Sequence, residues 1–136
     1  LTVLPFQNTL ATFQLTGAGI VASLENGVSQ VEEGAGRFPQ VAGLKFDWTK
    51  TKPAGERVSD VMVMEGGEWV PIDPAKTYGV VTNNYMRSGG DGYSVFAEDG
   101  LNAYDAGPNL EDVLAEYIAG FGGNYTPYVD GRINEI

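Results

Sequence analysis

Residues 83–93, NNYMRSGGDGY, begin where the β-branched run TYGVVTN (77–83) ends, and they hold three glycines, one carboxylate and two tyrosines. The run before them reads as a buried strand, and the glycines mark the point where it must turn. Gly89, Gly90 and Gly92 allow φ > 0 or a close backbone approach to a ligand. A bend alone has no use for Tyr85 six residues before Asp91. An aromatic face can stack on a flat ring, and a carboxylate can accept two hydrogen bonds from a vicinal diol such as a ribose. Two readings stand at this point: a binder of something ring-shaped bearing a diol, or a Gly-rich turn with Tyr85 as packing.

Outward from this stretch the chain mixes strands with two helices. TLATFQL (9–15) reads as a strand with Leu10, Thr12 and Gln14 on one face. TGAGIVASLENG follows as a helix, with Thr16 as N-cap, a stripe of Ile20, Val21 and Leu24, and Gly27 as its stop. VSQVEEGAGRFPQ reads as a loop. VAGLKFDWT (41–49) and RVSDVMVM (57–64) read as strands, and EGGEWVPIDP as a hairpin turn running into an extended piece. Beyond Tyr93 the pattern weakens up to Gly100. NLEDVLAEYIAGF (109–121) gives the strongest helical period, with Asn109 as cap and Leu110, Val113, Leu114, Tyr117 and Ile118 on one face. Strands mixed with two helices and no regular βαβ alternation point to an α+β fold, a mixed β-sheet with flanking helices, in one domain.

Composition narrows the chemistry. The 136 residues include no Cys and no His, so thiolate and imidazole chemistry, as nucleophile, base or metal ligand, is excluded from this chain. Eight basic against 18 acidic residues give a net charge of −10, which argues against a polymeric nucleic acid partner but leaves a single nucleotide open. No run of about 18 apolar residues is present to span a membrane as a helix. The chain opens inside an apolar pattern, as a mature fragment or excised domain would.

A second stretch, LPFQNTL (4–10), puts Phe6 and Asn8 at the mouth of the first strand. Phe6 offers another stacking face and Asn8 an amide able to read a base edge. The alternative is a buried loop Phe beside an Asn turn. Other signals are weaker. The spaced acids of EDGLNAYDAG (98–107) lack the ligand spacing of an EF-hand, NYT (124–126) reads as a turn, and Trp48 and Trp69 read as packing residues.

LPFQNTL followed about eighty residues later by NNYMRSGGDGY resembles the C-terminal domain of the 5′-nucleotidase, UDP-sugar hydrolase and cyclic-nucleotide phosphodiesterase family. TGAGIVASLE, RFPQVAGLKF, KTYGVVTNNY and the terminal DGRI extend the resemblance along nearly the whole chain. It implies that Phe6 and Tyr85 sandwich the base, with Tyr85 standing where Phe is usual. It also implies that Asp91 holds the ribose hydroxyls, that Gly89 and Gly90 shape the loop, and that Asn8 contacts the base in some bacterial members. It places the family's phosphate-binding arginines and a GGIR-like segment, by implication, upstream of Leu1. The resemblance also implies a divalent metal pair, such as Zn or Mn, in a separate N-terminal metallophosphatase domain of the same protein.

The reading that follows is a nucleotide-recognition domain, residues 1–136, of a periplasmic or extracellular phosphoesterase, with no catalysis by this chain alone. It would lack the N-terminal portion of its own domain, and an edge left open there would favour self-association. The competing readings are a stand-alone nucleoside- or carbohydrate-binding module and a structural or oligomerisation domain in which Tyr85 is packed away.

Overall fold

The computed structural model describes residues 4–136. The strand read at 9–15 is β1 (Leu10–Thr16), with Ala11, Phe13 and Leu15 buried and the intervening side chains outward. This is the period-2 pattern of a sheet with one face on a core. Thr16 ends the strand and starts α1 (Gly17–Val28), because its Oγ1 accepts a hydrogen bond from the Gly19 N–H at 3.1 Å. The Gly17 and Ala18 N–H groups donate to the carbonyls of Lys76 and Pro74, so the first turn of the helix has partners for its free donors.

Gly27 does not stop α1, as its position in the sequence suggests; the helix continues through Val28 to a Ser29 cap. Its role is close approach instead. A Cβ at Gly27 would fall 2.6 Å from Pro39 Cδ and 2.9 Å from the Tyr93 hydroxyl. The loop after α1 contains a 3-10 turn, Val31–Glu33, closed by Gly34 at φ 65.

β2 (Leu44–Trp48), β3 (Val58–Glu65) and β4 (Glu68–Pro71) form an antiparallel meander, joined between β3 and β4 by Gly66 and Gly67 at φ 57 and 82. β7 (Ile133–Glu135) adds to β2 in parallel, giving the order β4-β3-β2-β7. β5 (Thr77–Asn83) pairs antiparallel with β1, and β6 (Leu101–Tyr104) takes the other side of β1, giving β5-β1-β6. Between β5 and β6 run α2 (Asn84–Arg87), a 3-10 turn at Gly90–Gly92, and α3 (Ser94–Asp99).

One core joins the two sheets through α1. Phe13 and Leu15 of β1 meet Ile20, Leu24 and Val28 of α1, and the cluster extends to Phe46, Trp48 and Val61 of the second sheet and to Tyr93 and Phe96. A buried arginine fastens the far side. Arg57 donates from Nη1 to the Val28 carbonyl (2.8 Å), from Nε to the Lys52 carbonyl (2.9 Å), and from both Nη atoms to the Glu32 carboxylate. Glu25 in turn accepts from the Arg57 and Val58 N–H groups. A buried guanidinium is tolerable only when its donors are met in this way.

Three further readings need correction. TYGVVTN is a strand but not a buried one: β5 is an edge of its sheet among the described residues, and Val81 is 65% exposed. Its β-branched content serves one inner face only. The strongest helix, α4 (Leu110–Ala119), forms, yet none of its residues is fully buried. Asn109 makes no side-chain cap; the start of α4 is tied by its main chain, through a bridge to Thr9 and a bond from the Leu110 N–H to the Asn8 carbonyl. Four α-helices are present among the described residues where two were read, because α2 and α3 are too short to show a helical period.

Candidate nucleoside site

The β1–β5 pairing assembles the candidate site. Leu10 pairs with Asn83, and beyond that pair the Thr9 N–H donates to Asn84 Oδ1 (3.0 Å) while the Asn84 N–H donates to the Thr9 carbonyl (3.0 Å). The segment carrying Phe6 and Asn8 therefore enters at the end of the sheet where the segment carrying Tyr85 and Asp91 leaves it. Phe6 is 80% exposed, and Asn8 is half-buried with its carbonyl bonded to α4.

Tyr85 sits on the single turn of α2 rather than in an open loop. Asn83 caps that turn, its Oδ1 accepting from the Met86 N–H at 2.8 Å. Arg87 closes it through a two-point ion pair with Asp105, both contacts 2.7 Å, which gives one acid of the 98–107 stretch a structural partner. The chain then reverses at Gly89 (φ 102), a conformation that strongly favours glycine. The reversal lays the Tyr85 ring on the Gly90 backbone: a Cβ at Gly90 would lie 2.4–2.6 Å from three ring carbons. Tyr85 as a whole remains 52% exposed to solvent.

Asp91 follows at φ 56, ψ 27, left-handed and exposed. Its backbone is tied to α1, since Asn26 Nδ2 donates to the Asp91 carbonyl at 3.1 Å. Tyr93 anchors the other end of the loop in the core. It is 3% exposed, stacks on Phe96 with ring centroids 5.0 Å apart, and donates its hydroxyl to the Arg37 carbonyl at 2.7 Å. The structure thus brings Tyr85, Gly89, Gly90 and Asp91 into one turn, tied to α1 through Asn26 and to the core through Tyr93. A cleft of about 320 Å³ beside them is lined by Asp91, Arg37, Asn83 and Leu110, among others, but by neither Phe6 nor Tyr85. Asn26, Arg37 and Tyr93 escaped sequence reasoning, although Tyr93 closes the quoted stretch and Arg37 opens RFPQ.

Burial, reinforced by the Asp91 carboxylate and opposed by the Arg37 charge, pushes the Tyr93 hydroxyl from its ordinary 10.0 up to about 12. The folded pKa exceeds the unfolded one, so the contribution is complete below pH 10 and is lost as pH rises through 12, in all roughly 2–3 kcal/mol. Urea midpoints of the parent chain are expected to fall more steeply between pH 10 and 12 than those of Tyr93→Phe. Parallel slopes would show that Tyr93 is not the group responsible.

Among the described residues no three His, Cys, Asp or Glu side chains are placed to hold a metal ion. No helix among them is long and apolar enough to cross a membrane. Around Gly89–Asp91 the fold sets an aromatic face, a carboxylate and closely approached backbone side by side.

The family described as 5'-nucleotidase, C-terminal domain, matches residues 1–98, and the chain belongs to it. The α+β architecture agrees with that of its structural neighbours. The 5'-nucleotidase precursor of Thermus thermophilus superimposes with a TM-score of 0.93 at 41% identity, over 98% of this chain and 26% of that one. The NAD nucleotidase of Haemophilus influenzae superimposes with a TM-score of 0.83 at 29% identity, over 99% of this chain and 26% of that one. In sequence, the trifunctional nucleotide phosphoesterase protein YfkN of Bacillus subtilis is 42% identical over 137 aligned positions, covering 100% of this chain and 9% of that protein. The chain therefore spans only about a quarter or less of the length of these relatives.

Proposed function

We propose that residues 1–136 recognise the base and ribose of a nucleotide on behalf of a larger, metal-dependent phosphoesterase. The base packs on Tyr85 with Phe6 as the second face, Asp91 accepts hydrogen bonds from the sugar hydroxyls, and Asn8 stands at the base edge. Gly89 and Gly90 let the loop backbone come close. Hydrolysis belongs to a metallophosphatase domain N-terminal to this one, where a divalent pair such as Zn or Mn would activate water. What this domain contributes is orientation of the substrate. The parent protein acts in the periplasm or outside the cell. Self-association through a sheet edge left unpaired, readable by sedimentation, belongs to the same proposal.

The observation that carries this reading is the seating of the Tyr85 ring on Gly90, one residue from a left-handed Asp91. About half of the Tyr85 surface stays in solvent, open to a ligand. The test is a nitrogen–proton NMR titration with adenosine and with uridine. Shifts are expected to cluster around Phe6, Tyr85 and Asp91. Tyr85→Ala should weaken binding about 5- to 150-fold, the range set by one base–aromatic stack. Shifts elsewhere, or affinity unchanged in Tyr85→Ala, would remove the base from this loop.

A further inference from the structure

The left-handed conformation of Asp91 is one that a non-glycine residue holds only where its surroundings impose it. Those surroundings come from two residues remote in sequence. Asn26, half-buried in the last turn of α1, donates through Nδ2 to the Asp91 carbonyl and accepts at Oδ1 from Arg37 Nη1 at 3.0 Å. A carbonyl only accepts and a guanidinium only donates, so the two partners leave the Asn26 amide a single orientation. Arg37 is itself held, its Nη1 reaching Ser29 Oγ at 3.5 Å and its carbonyl bound by the Tyr93 hydroxyl. Gly92 packs directly on the pair: a Cβ there would lie 2.7 Å from Asn26 Oδ1 and 2.8 Å from Arg37 Nη1. Among the described residues Arg37 makes no salt bridge, unlike Arg57, Arg87 and Arg132, and its side-chain hydrogen bonds run from Nη1 to Asn26 and Ser29.

We propose that Asn26 and Arg37 are positioning residues that hold Asp91 for the sugar hydroxyls and thereby set selectivity for ribonucleosides. The inference rests on the nucleoside reading above. The end of α1 and the start of the RFPQ segment fix where the carboxylate stands, while the stacking face on Tyr85 is built independently by Gly90. Hydroxyl selectivity and base affinity are therefore separable.

The experiment compares adenosine with 2′,3′-dideoxyadenosine on the parent chain, on Asn26→Ala and on Arg37→Met, together with the backbone carbon shifts of Asp91 without ligand. The parent is expected to prefer adenosine about tenfold or more, as hydrogen bonds to a charged acceptor imply. Both variants should lose most of that preference yet bind the dideoxynucleoside as the parent does, and the Asp91 shifts should leave their left-handed values. A parent that prefers adenosine, with variants that keep both the preference and the Asp91 shifts, overturns the inference alone. A parent that binds neither nucleoside overturns the nucleoside reading, and this inference falls with it. Arg37→Met preserves the aliphatic stem, so it carries the test if Asn26→Ala does not fold.

Discussion

Replacing Phe46 with alanine should cost about 3–5 kcal/mol and leave a large unfolded population at 37 °C. Phe46 is 1% exposed, the largest of the fully buried side chains, and sits in β2, between β3 on one side and β7 on the other. Its ring belongs to the cluster that joins the second sheet to α1, and its N–H donates to the Arg132 carbonyl at 2.8 Å. Truncation removes the transfer term for the ring and leaves a cavity that two hydrogen-bonded neighbours cannot close by sliding inward. A domain of this size holds only about 5–15 kcal/mol in total, so the loss is a large fraction of the whole. Urea unfolding followed by circular dichroism is expected to show a much lower midpoint with an unchanged slope. Tyr104→Ala, at a position 58% exposed on β6, should move it little. A Phe46→Ala midpoint within error of the parent would mean that the second sheet does not share the core of the first.

What the sequence discloses about this molecule follows the reach of the interactions. The Thr16 cap, the Gly66-Gly67 hairpin and the extent of β5 are local, written in residues a few positions apart, and they fold as read. The Gly-rich turn after β5 is equally local, which is why its glycines and Asp91 were visible as a candidate site. The burial of β5 was not, because Val81 and Val80 look alike in sequence and only the β1 pairing decides that Val80 faces inward with Phe13. The same limit applies to α4, whose apolar stripe is plain although little lies over it. Within the site, Asn26 meets Asp91 across 65 residues and Arg37 meets Tyr93 across 56, and no period or spacing connects them. The family resemblance implies a long-range pairing of Phe6 with Tyr85, but it speaks only of residues expected to face a ligand and is silent on those that would hold them.

Gly90→Val separates ligand binding from folding. Gly90 lies outside the positive-φ region, so valine meets no backbone strain there. It meets the Tyr85 ring, whose Cε1 would stand 2.4 Å from the new Cβ. A contact that short must be relieved, and the ring is the part free to go, being half exposed on a one-turn helix. Rotation of the ring into solvent should change stability by no more than about 1 kcal/mol, as for other surface changes. It removes the stacking face, however, and with it about 1–3 kcal/mol of base affinity, a loss of about 5- to 150-fold. Adenosine titration is expected to show that weakening with Asp91 shifts still left-handed, since the Asn26 contact is untouched. Combined with Tyr85→Ala, the substitution should add almost nothing, because both remove the same platform. Full additivity in the double mutant would mean that Gly90 serves the ligand directly through its backbone, and that the Tyr85 ring finds its place without it.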